Sequence, residues 1–497
     1  MTHPFLRHPA LHLALLLLVA VVLRWDTFGD PNMHGDEVFY QTVGVAMHQG
    51  AVPYFDVWDR KPFGLFALSW LIALFSQDML AFQIAACLFA AGTAWCIARI
   101  ARELMLPAAS PQEQERESGI ARSIGPLLAG IVYLLWLSPL QGFGGQSPVF
   151  YNLFIALSAL LVVRSLPALH EGRVPRAVLV AMAMAGIGIT IKTSALFEAA
   201  FLGLFAAWAL WRSGTGMGRT LNHAAGWALL GAAPALAIAI GFLAMGHWAE
   251  YWHAMFTSNL SKETHWPTSL ARLKFMALAL SPIALFFALG LMRLSGEARR
   301  FVLAWLGAAL LGLAAVPNFY LHYALPLLVP LCVAASGFFN RGIVGTVAVG
   351  LLAFLSLTIA PHKPGHAKQS AAAINKLESL VRTHIGNGPL LLYDAPPQLY
   401  VRTGQPFITP LVFPTHLSHA LEKDVSHLPT LAETQRVLSL KPGAVVMAHP
   451  LRNAPANDET HKLVLAYVGQ HCQLAGVIPT PERQRTDRIA VWGDCGK

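Results

Sequence analysis

Apolar residues in this chain come in long runs rather than in alternation with polar ones. Stretches such as LHLALLLLVAVVL (11–23) and FIALSALLVV (154–163) recur from residue 10 to about residue 360. With their flanks, such runs are long enough for helices that cross about 30 Å of hydrocarbon. The pattern predicts about eleven transmembrane helices, near 10–25, 80–103, 123–138, 149–165, 176–190, 193–211, 223–245, 271–292, 301–316, 323–338 and 342–360. Beyond them the rhythm changes. Helix-like stretches (HAKQSAAAINKLESLVRTHI, LAETQRVLSL, DETHKLVLAYV) alternate with short strand-like ones (PLLLYDA, GAVVMAH, RIAVWGD), an α/β pattern in a segment sized for one domain. The fold expected is therefore a polytopic α-helical membrane module, 1–361, followed by a soluble α/β domain, 362–497.

Composition agrees: mean hydropathy is +0.52 and only 12% of residues are charged, about half the fraction of a soluble domain. The net charge of +9 would suit nucleic acid, but no Cys pattern, RNA-binding motif or basic helix accompanies it. Instead the arginines fall in alternate connections: Arg99, Arg102, Arg116 and Arg122; Arg164, Arg173 and Arg176; Arg212 and Arg219; Arg293, Arg299 and Arg300; Arg341. The positive-inside rule puts these on the cytoplasmic face of an inner membrane. That assignment holds only if KPFGLFALSWLIALF (61–75) does not cross, so it is read as an interfacial or re-entrant helix. The first outer loop then runs from about 26 to 79, and the C-terminal domain is external, on the periplasmic side. The first span, ending Arg24-Trp25 without a small-residue cleavage site, reads as a retained anchor. Cys472 and Cys495 fall in the external domain and are expected to be disulfide-bonded, whereas Cys87, Cys96 and Cys332 lie in or near spans.

The outer loop holds the candidate chemistry. PNMHGDEVFYQTVGVAMHQG (31–50) carries Asp36 and Glu37 side by side, and VPYFDVWDRKPFG (52–64) carries Asp56, Asp59, Arg60 and Lys61 among aromatics. Asp36 reads equally as a helix N-cap or as a catalytic acid. A loop with acids, a basic pair and interfacial aromatics suits an amphiphile whose phosphate lies at headgroup level. Lys192, in GITIKTSALF, and His322-Tyr323, in VPNFYLHYALPLL, sit at other outer turns, where snorkelling or capping is the plain alternative. Glu198, inside a span, either touches a substrate or pairs with a polar neighbour. Trp248, Tyr251, Trp252 and Trp266 in 246–272 read as interfacial anchors, and His416 and His419 have no metal-site spacing.

These residues resemble a family. A span followed by DE, then Tyr40, then PY.D.WD.KP is similar to the first outer loop of GT-C glycosyltransferases, in the bacterial group that includes lipid A aminoarabinose transferase and relatives of protein O-mannosyltransferase. GITIKTSALF and FYLHYALPLLVPL resemble that group's later motifs. The resemblance implies a GT-C-like fold, a polyprenyl-phosphate-linked sugar donor, and transfer to a glycolipid, polysaccharide or protein acceptor at the outer face. It implies Asp36 as catalytic carboxylate with Glu37 as its motif partner. Arg60, Lys61, Lys192 and His322 would surround the donor phosphate, with Tyr40, Asp59, Glu198 and Tyr323 as further substrate contacts. Two positions depart from the pattern: Phe63 replaces a second proline, and the turn 141–152 has no acid where relatives often do, so a divalent metal has no ligand set in the sequence. A lipid phosphate leaves as an anion, its second pKa being near 6, so one base and a cationic clamp suffice where a glycosidase needs two carboxylates. The tail has no G-x-G-x-x-G or P-loop and is expected to cap the site or engage the acceptor. A transporter or flippase of lipid-linked sugars, or a polymerase or ligase of lipid-linked glycans, is the rival reading. No internal repeat of the kind transporters carry is evident.

Overall fold

The computed structural model describes residues 9–105, 121–261, 264–452 and 455–496. Arg116 lies outside them. In chain order the helices are α1 Pro9–Arg24, α2 Gly35–His48, α3 Phe63–Ala73, α4 Met79–Met105, α5 Ala121–Leu137, α6 Ser147–His170, α7 Arg176–Ile191, α8 Ala195–Arg212 and α9 Met217–Ala244. There follow α10 Trp248–Trp252, α11 Ser258–Ser261, α12 Trp266–Leu291, α13 Gly296–Ala314, α14 Leu325–Phe339 and α15 Ile343–Ile359. The expected spans correspond to α1, α4 to α9 and α12 to α15, within a few residues. Among the described residues, seven of these stretches are long and apolar enough to cross a membrane, Met79–Met105 and Ser147–His170 included. Of the other four, α5, α7 and α15 are shorter, and α13 carries Glu297, Arg299 and Arg300 near its start. The chain is a multi-pass membrane protein. At 11 residues, α3 is only about 16 Å long at 1.5 Å per residue, too short to cross.

The chain gathers into two compact units: Met1–Trp25, Ala85–Ala237 and Thr264–His362 in one, Asp26–Ile84, Ile238–Glu263 and Lys363–Lys497 in the other. In the first, α14 is almost wholly buried and packs against α12 and α5. Small residues make that approach feasible: a Cβ on Gly290 would lie 2.1 Å from the Ala334 carbonyl oxygen, well inside contact distance. Buried Arg24, at the end of α1, donates to the Gly142 and Gly144 carbonyls at 2.7 and 3.0 Å. It thereby satisfies two carbonyls of an irregular turn that carries no side-chain acid of its own.

In the second unit the C-terminal segment adds α16 His366–His384, β1 Leu390–Asp394, α17 Gln398–Thr403, α18 Thr415–Ser418, α19 Thr430–Ser439, β2 Ala444–Ala448, α20 Asp458–His471, β3 Gln473–Pro481 and β4 Thr486–Gly493. The sheet order is β1-β2-β4-β3, with β1 and β2 parallel and the other pairs antiparallel. Parallel neighbours are covered on both faces, which is why LLLYD and AVVMA are fully buried, nearly continuous apolar runs. β3 pairs only with β4 and so forms an edge, where its prolines 479 and 481 are tolerated. Cys472, just before β3, and Cys495, just after β4, are bonded at 2.08 Å. Cys87, Cys96 and Cys332 are buried free thiols.

Candidate functional site

The expected outer loop is itself folded. Residues 26–34 lead into α2 through buried polar contacts. Asp26 Oδ2 accepts from the Lys363 N–H at 2.6 Å and from Arg483 at 2.9 Å, and Asp30 Oδ2 lies 2.8 Å from His366 Nδ1. The end of β3 and the turn after it supply two more links: Asn32 Nδ2 donates to the Pro481 carbonyl at 3.1 Å, and Arg483 N–H donates to Met33 O at 3.2 Å. Hydrogen bonding to Asp30 raises the His366 pKa above its ordinary value against the opposing effect of burial. These links fix where α2 begins.

The cap of α2 is not Asp36. His34 is the N-cap: its backbone is extended (φ −156, ψ 133) and its Nδ1 accepts from the Asp36 N–H at 3.2 Å. Asp36 follows in the first turn, with its side chain 19% exposed, whereas Glu37 is fully buried. Helical rotation of about 100° per residue separates the two acids. α3 packs against α2 closely, because a Cβ on Gly44 would meet the Ser69 backbone at 2.6 Å.

Asp59, Arg60 and Lys61 reach the same place through a strained turn. Tyr54 has φ 72 and is fully buried, and its hydroxyl donates to the Lys61 carbonyl at 2.8 Å. Burial raises the Tyr54 pKa well above its ordinary value, keeping the phenol neutral. Lys61 Nζ lies 3.4 Å from Asp36 Oδ1 and 3.2 Å from Asp59 Oδ1, and it stands over the rings of Tyr40 and Phe413 at 5.4 and 5.0 Å. Burial alone would push its pKa down, but the attraction of Asp59 and Asp36 outweighs this and raises it, so the ammonium stays charged. Arg60 pairs with Glu422 at 2.7 Å, and Asp59 Oδ2 lies 3.5 Å from His416 Nε2. Burial lowers the His416 pKa to about 4, against Asp59 and Glu422, so this imidazole is neutral at pH 7.

His416, set aside in the sequence for lack of metal spacing, thus belongs to this cluster, together with His34, Phe413 and Glu422. No local signal could have found them, since Arg60 and Glu422 are 362 residues apart along the chain. Among the described residues no three His, Cys, Asp or Glu side chains are grouped to hold a metal ion.

A second cluster lies in the first unit. Lys192 is the C-cap of α7, and its Nζ stands 4.8 Å from the centre of the Tyr323 ring. Glu198 lies in the first turn of α8 and accepts from buried Trp305 Nε1 at 2.8 Å. Lys192, Ser194, Glu198, Tyr151 and Tyr323 line one small pocket. His322 is buried beside Tyr320, whose ring lies 4.0 Å from the Arg272 guanidinium, a cation the motifs did not indicate. Asp36, Glu37, Tyr40, Asp59, Arg60 and Lys61 therefore come together in one unit, and Lys192, Glu198, His322 and Tyr323 in the other.

No protein-family model matches the chain, and no curated protein matches its sequence. Its structure does have likenesses. ArnT from Cupriavidus metallidurans, solved bound to undecaprenyl phosphate, superposes with a TM-score of 0.61 over 97% of each chain at 12% identity. The two chains share a fold. It is the GT-C type that the motifs resembled, and at this identity the likeness speaks for the fold alone. The Archaeoglobus fulgidus oligosaccharyltransferase in its apo form (TM-score 0.49, 11% identity, 88% of this chain and 69% of that one) has a lower score, as does arabinosyltransferase EmbB from Mycobacterium smegmatis (0.42, 14%, 88% and 41%). Neither of these two likenesses is strong enough to carry a functional argument.

Proposed function

We propose that this protein is a membrane glycosyltransferase that moves a sugar from a polyprenyl-phosphate-linked donor to an acceptor hydroxyl at the outer face, with inversion. The observation that carries the reading is the Asp36–Lys61 pair, a carboxylate and an ammonium 3.4 Å apart in an aromatic setting, in a chain of GT-C fold whose relative by structure was solved with undecaprenyl phosphate. In a single displacement the acceptor oxygen attacks the anomeric carbon from the face opposite the phosphate. The carbon–oxygen bond to phosphate breaks, and the lipid phosphate departs with the electron pair. Asp36 receives the acceptor proton. Lys61 and Arg60 stabilise charge on the leaving phosphate. Lys192, His322 and Tyr323 form a separate candidate lipid-phosphate contact within the first unit, and Glu37 supports the first turn of α2 from its buried position.

Lys61 also holds Asp36 in place, and donor phosphate arriving at Lys61 would compete with that carboxylate for the ammonium. The decisive experiment is single-turnover transfer by the purified chain with polyprenyl-phosphate sugars and a hydroxyl acceptor, with the anomeric configuration of the product read by NMR. Retained configuration would remove the single-displacement mechanism. Absence of transfer from every such donor would favour a carrier instead. Reporter fusions after Gly50 and Pro361 should be active only as external reporters. Cytoplasmic activity at both would overturn the orientation.

A further inference from the structure

A cleft of about 690 Å³ opens in the second unit, at the far end of α2 from Asp36. Its wall includes Gln49 and Gly50, just past the end of α2. Gln49 lies thirteen residues along the chain from Asp36, about 20 Å at 1.5 Å per residue. The opposite wall is the segment 405–410 with the start of α19.

The lining is chemically specific. Two phenyl rings, Phe55 and Phe407, border the cleft, and Phe55 is 46% exposed. Rings of this kind offer apolar faces to the C–H surfaces of sugar rings. Three carboxylates, Asp56, Glu250 and Glu433, line the cleft with one guanidinium, Arg436. Arg436 is already taken up by Glu433 at 2.6 Å and by the Ile408 carbonyl, also at 2.6 Å. Two polar atoms in the wall are unsatisfied: Glu250 Oε2 and His427 Nδ1 are buried and have no hydrogen-bond partner among the described residues. Glu250 Oε2 lies 4.0 Å from His247 Nδ1. Buried polar atoms of this kind normally find partners. An aromatic border, an unsatisfied carboxylate oxygen and an excess of carboxylate together describe a site for hydroxyl and amino groups on an apolar ring, and they disfavour an anionic ligand by like-charge repulsion.

We propose that this cleft binds a glycan chain, neutral or amine-bearing and not acidic, as the distal part of an extended acceptor whose reactive hydroxyl lies at Asp36. The proposal rests on the transferase reading for its second half only; glycan binding in the cleft stands by itself. It narrows the acceptor to a polymer of several sugar rings, since a single sugar cannot span the distance.

The test uses the purified full chain in nanodiscs, titrated calorimetrically with four probes: glucosamine hexasaccharide, N-acetylglucosamine hexasaccharide, galacturonate hexasaccharide and glucosamine monomer. The two non-acidic hexasaccharides should bind, the amine-bearing one more tightly and with affinity that falls as salt rises. The acidic hexamer and the monomer should bind at least tenfold more weakly. Phe407→Ala should weaken hexasaccharide binding about tenfold, the scale of a lost ring contact. Glu250→Gln, which preserves shape, should abolish the preference for the amine-bearing probe. Lys61→Ala should leave hexasaccharide binding unchanged while lowering affinity for undecaprenyl phosphate, so a failed transferase reading and a failed cleft are told apart. The proposal is overturned if no hexasaccharide binds at millimolar concentration, if the acidic one binds equally well, if neither cleft substitution changes binding, or if polylysine binds there and the glycans do not.

Discussion

The two polar clusters treat a lysine in opposite ways. In the second unit, Lys61 lies between the carboxylates of Asp36 and Asp59, and its aromatic neighbours only frame it. In the first unit, Lys192 stands on the face of Tyr323, while the acid of that pocket, Glu198, is engaged by Trp305. One arrangement presents a carboxylate and an ammonium as a coupled pair; the other presents an ammonium on a π-face, with the acid turned to a structural hydrogen bond. A coupled pair can exchange a proton and respond to an arriving phosphate. A cation on a ring can contribute charge but no proton acceptor. The comparison supports the proposal that base chemistry, if this is a transferase, belongs to the second unit.

The sharpest way to break it is to neutralise each acid in turn. Asp36→Asn keeps the shape and leaves the helix cap intact, because the cap is His34. Transfer should fall by roughly the 10²–10⁴-fold typical of general-base loss. Glu198→Gln retains an acceptor for Trp305 and should cost less than about tenfold. Single-turnover rates at matched expression decide between them. If the Glu198 variant loses more than the Asp36 variant, the assignment of base chemistry is reversed.

The cysteines divide along the same line, and their effect should be the next largest. Cys472 and Cys495 close a loop with a sequence separation of 23, worth about 3 kcal/mol in the chain-entropy model. The three thiols of the first unit are buried and unpaired with one another. Thiol labelling of denatured, unreduced protein should modify three cysteines and spare two. Labelling of all five would mean that the pair is open in the protein as made, and reduction should then leave thermal stability unchanged.

Much of this was legible in the sequence, and the parts that were not share a cause. Eleven apolar runs became helices because hydrophobic periodicity is a local property. The Asp36, Asp59, Arg60 and Lys61 group was legible for the same reason: all four lie within one short loop. β3 escaped notice because an edge strand tolerates the prolines and glycine that argue against a central strand. His416 and Glu422 escaped because their partners come from the other end of the chain, and a lone histidine in THLSH carries no spacing to read. The His34 cap was hidden by an ordinary preference: Asp is a favoured cap and His is not, yet the contacts at 26–33 set the cap at His34, ahead of Asp36.

Removing each lysine should have a smaller effect than removing Asp36, and the two lysines should differ. Lys61→Met leaves Asp36 and Asp59 close together without their shared cation, so it should lower thermal stability as well as donor affinity. A charge-assisted contact is worth about 1.5–3 kcal/mol, or roughly 10- to 100-fold in affinity for undecaprenyl phosphate. Lys192→Met removes a cation–π contact worth about 0.5–2 kcal/mol and should lower donor affinity by about tenfold or less, with stability changing little. Calorimetric binding together with thermal unfolding separates the two outcomes. Equal losses of stability would show that the carboxylate setting of Lys61 gives it no special weight.

The smallest expected effect is a dependence on pH carried by the second unit. His416 is held neutral by burial, with its pKa lowered from 6.5 to about 4. The unfolded chain therefore binds a proton near pH 6.5 that the folded chain refuses until about pH 4. Stability rises with pH wherever the unfolded state binds more protons. The contribution of His416 is thus present in full above pH 6.5 and is lost progressively as pH falls toward 4. Between pH 7 and pH 5.5 the loss amounts to about 1 kcal/mol. His366 opposes it: hydrogen bonding to Asp30 raises its pKa, so its contribution is present below the unfolded value and lost as pH rises. Replacing each separately resolves the two signs. In a pH series of thermal unfolding, His416→Gln should flatten the decline on the acid side, and His366→Gln should steepen it. If His416→Gln leaves the acid decline unchanged, the imidazole beside Asp59 is already protonated in the folded chain. Asp59 would then be shared between two cations, and Lys61 would be freer to meet a phosphate than its two carboxylates imply.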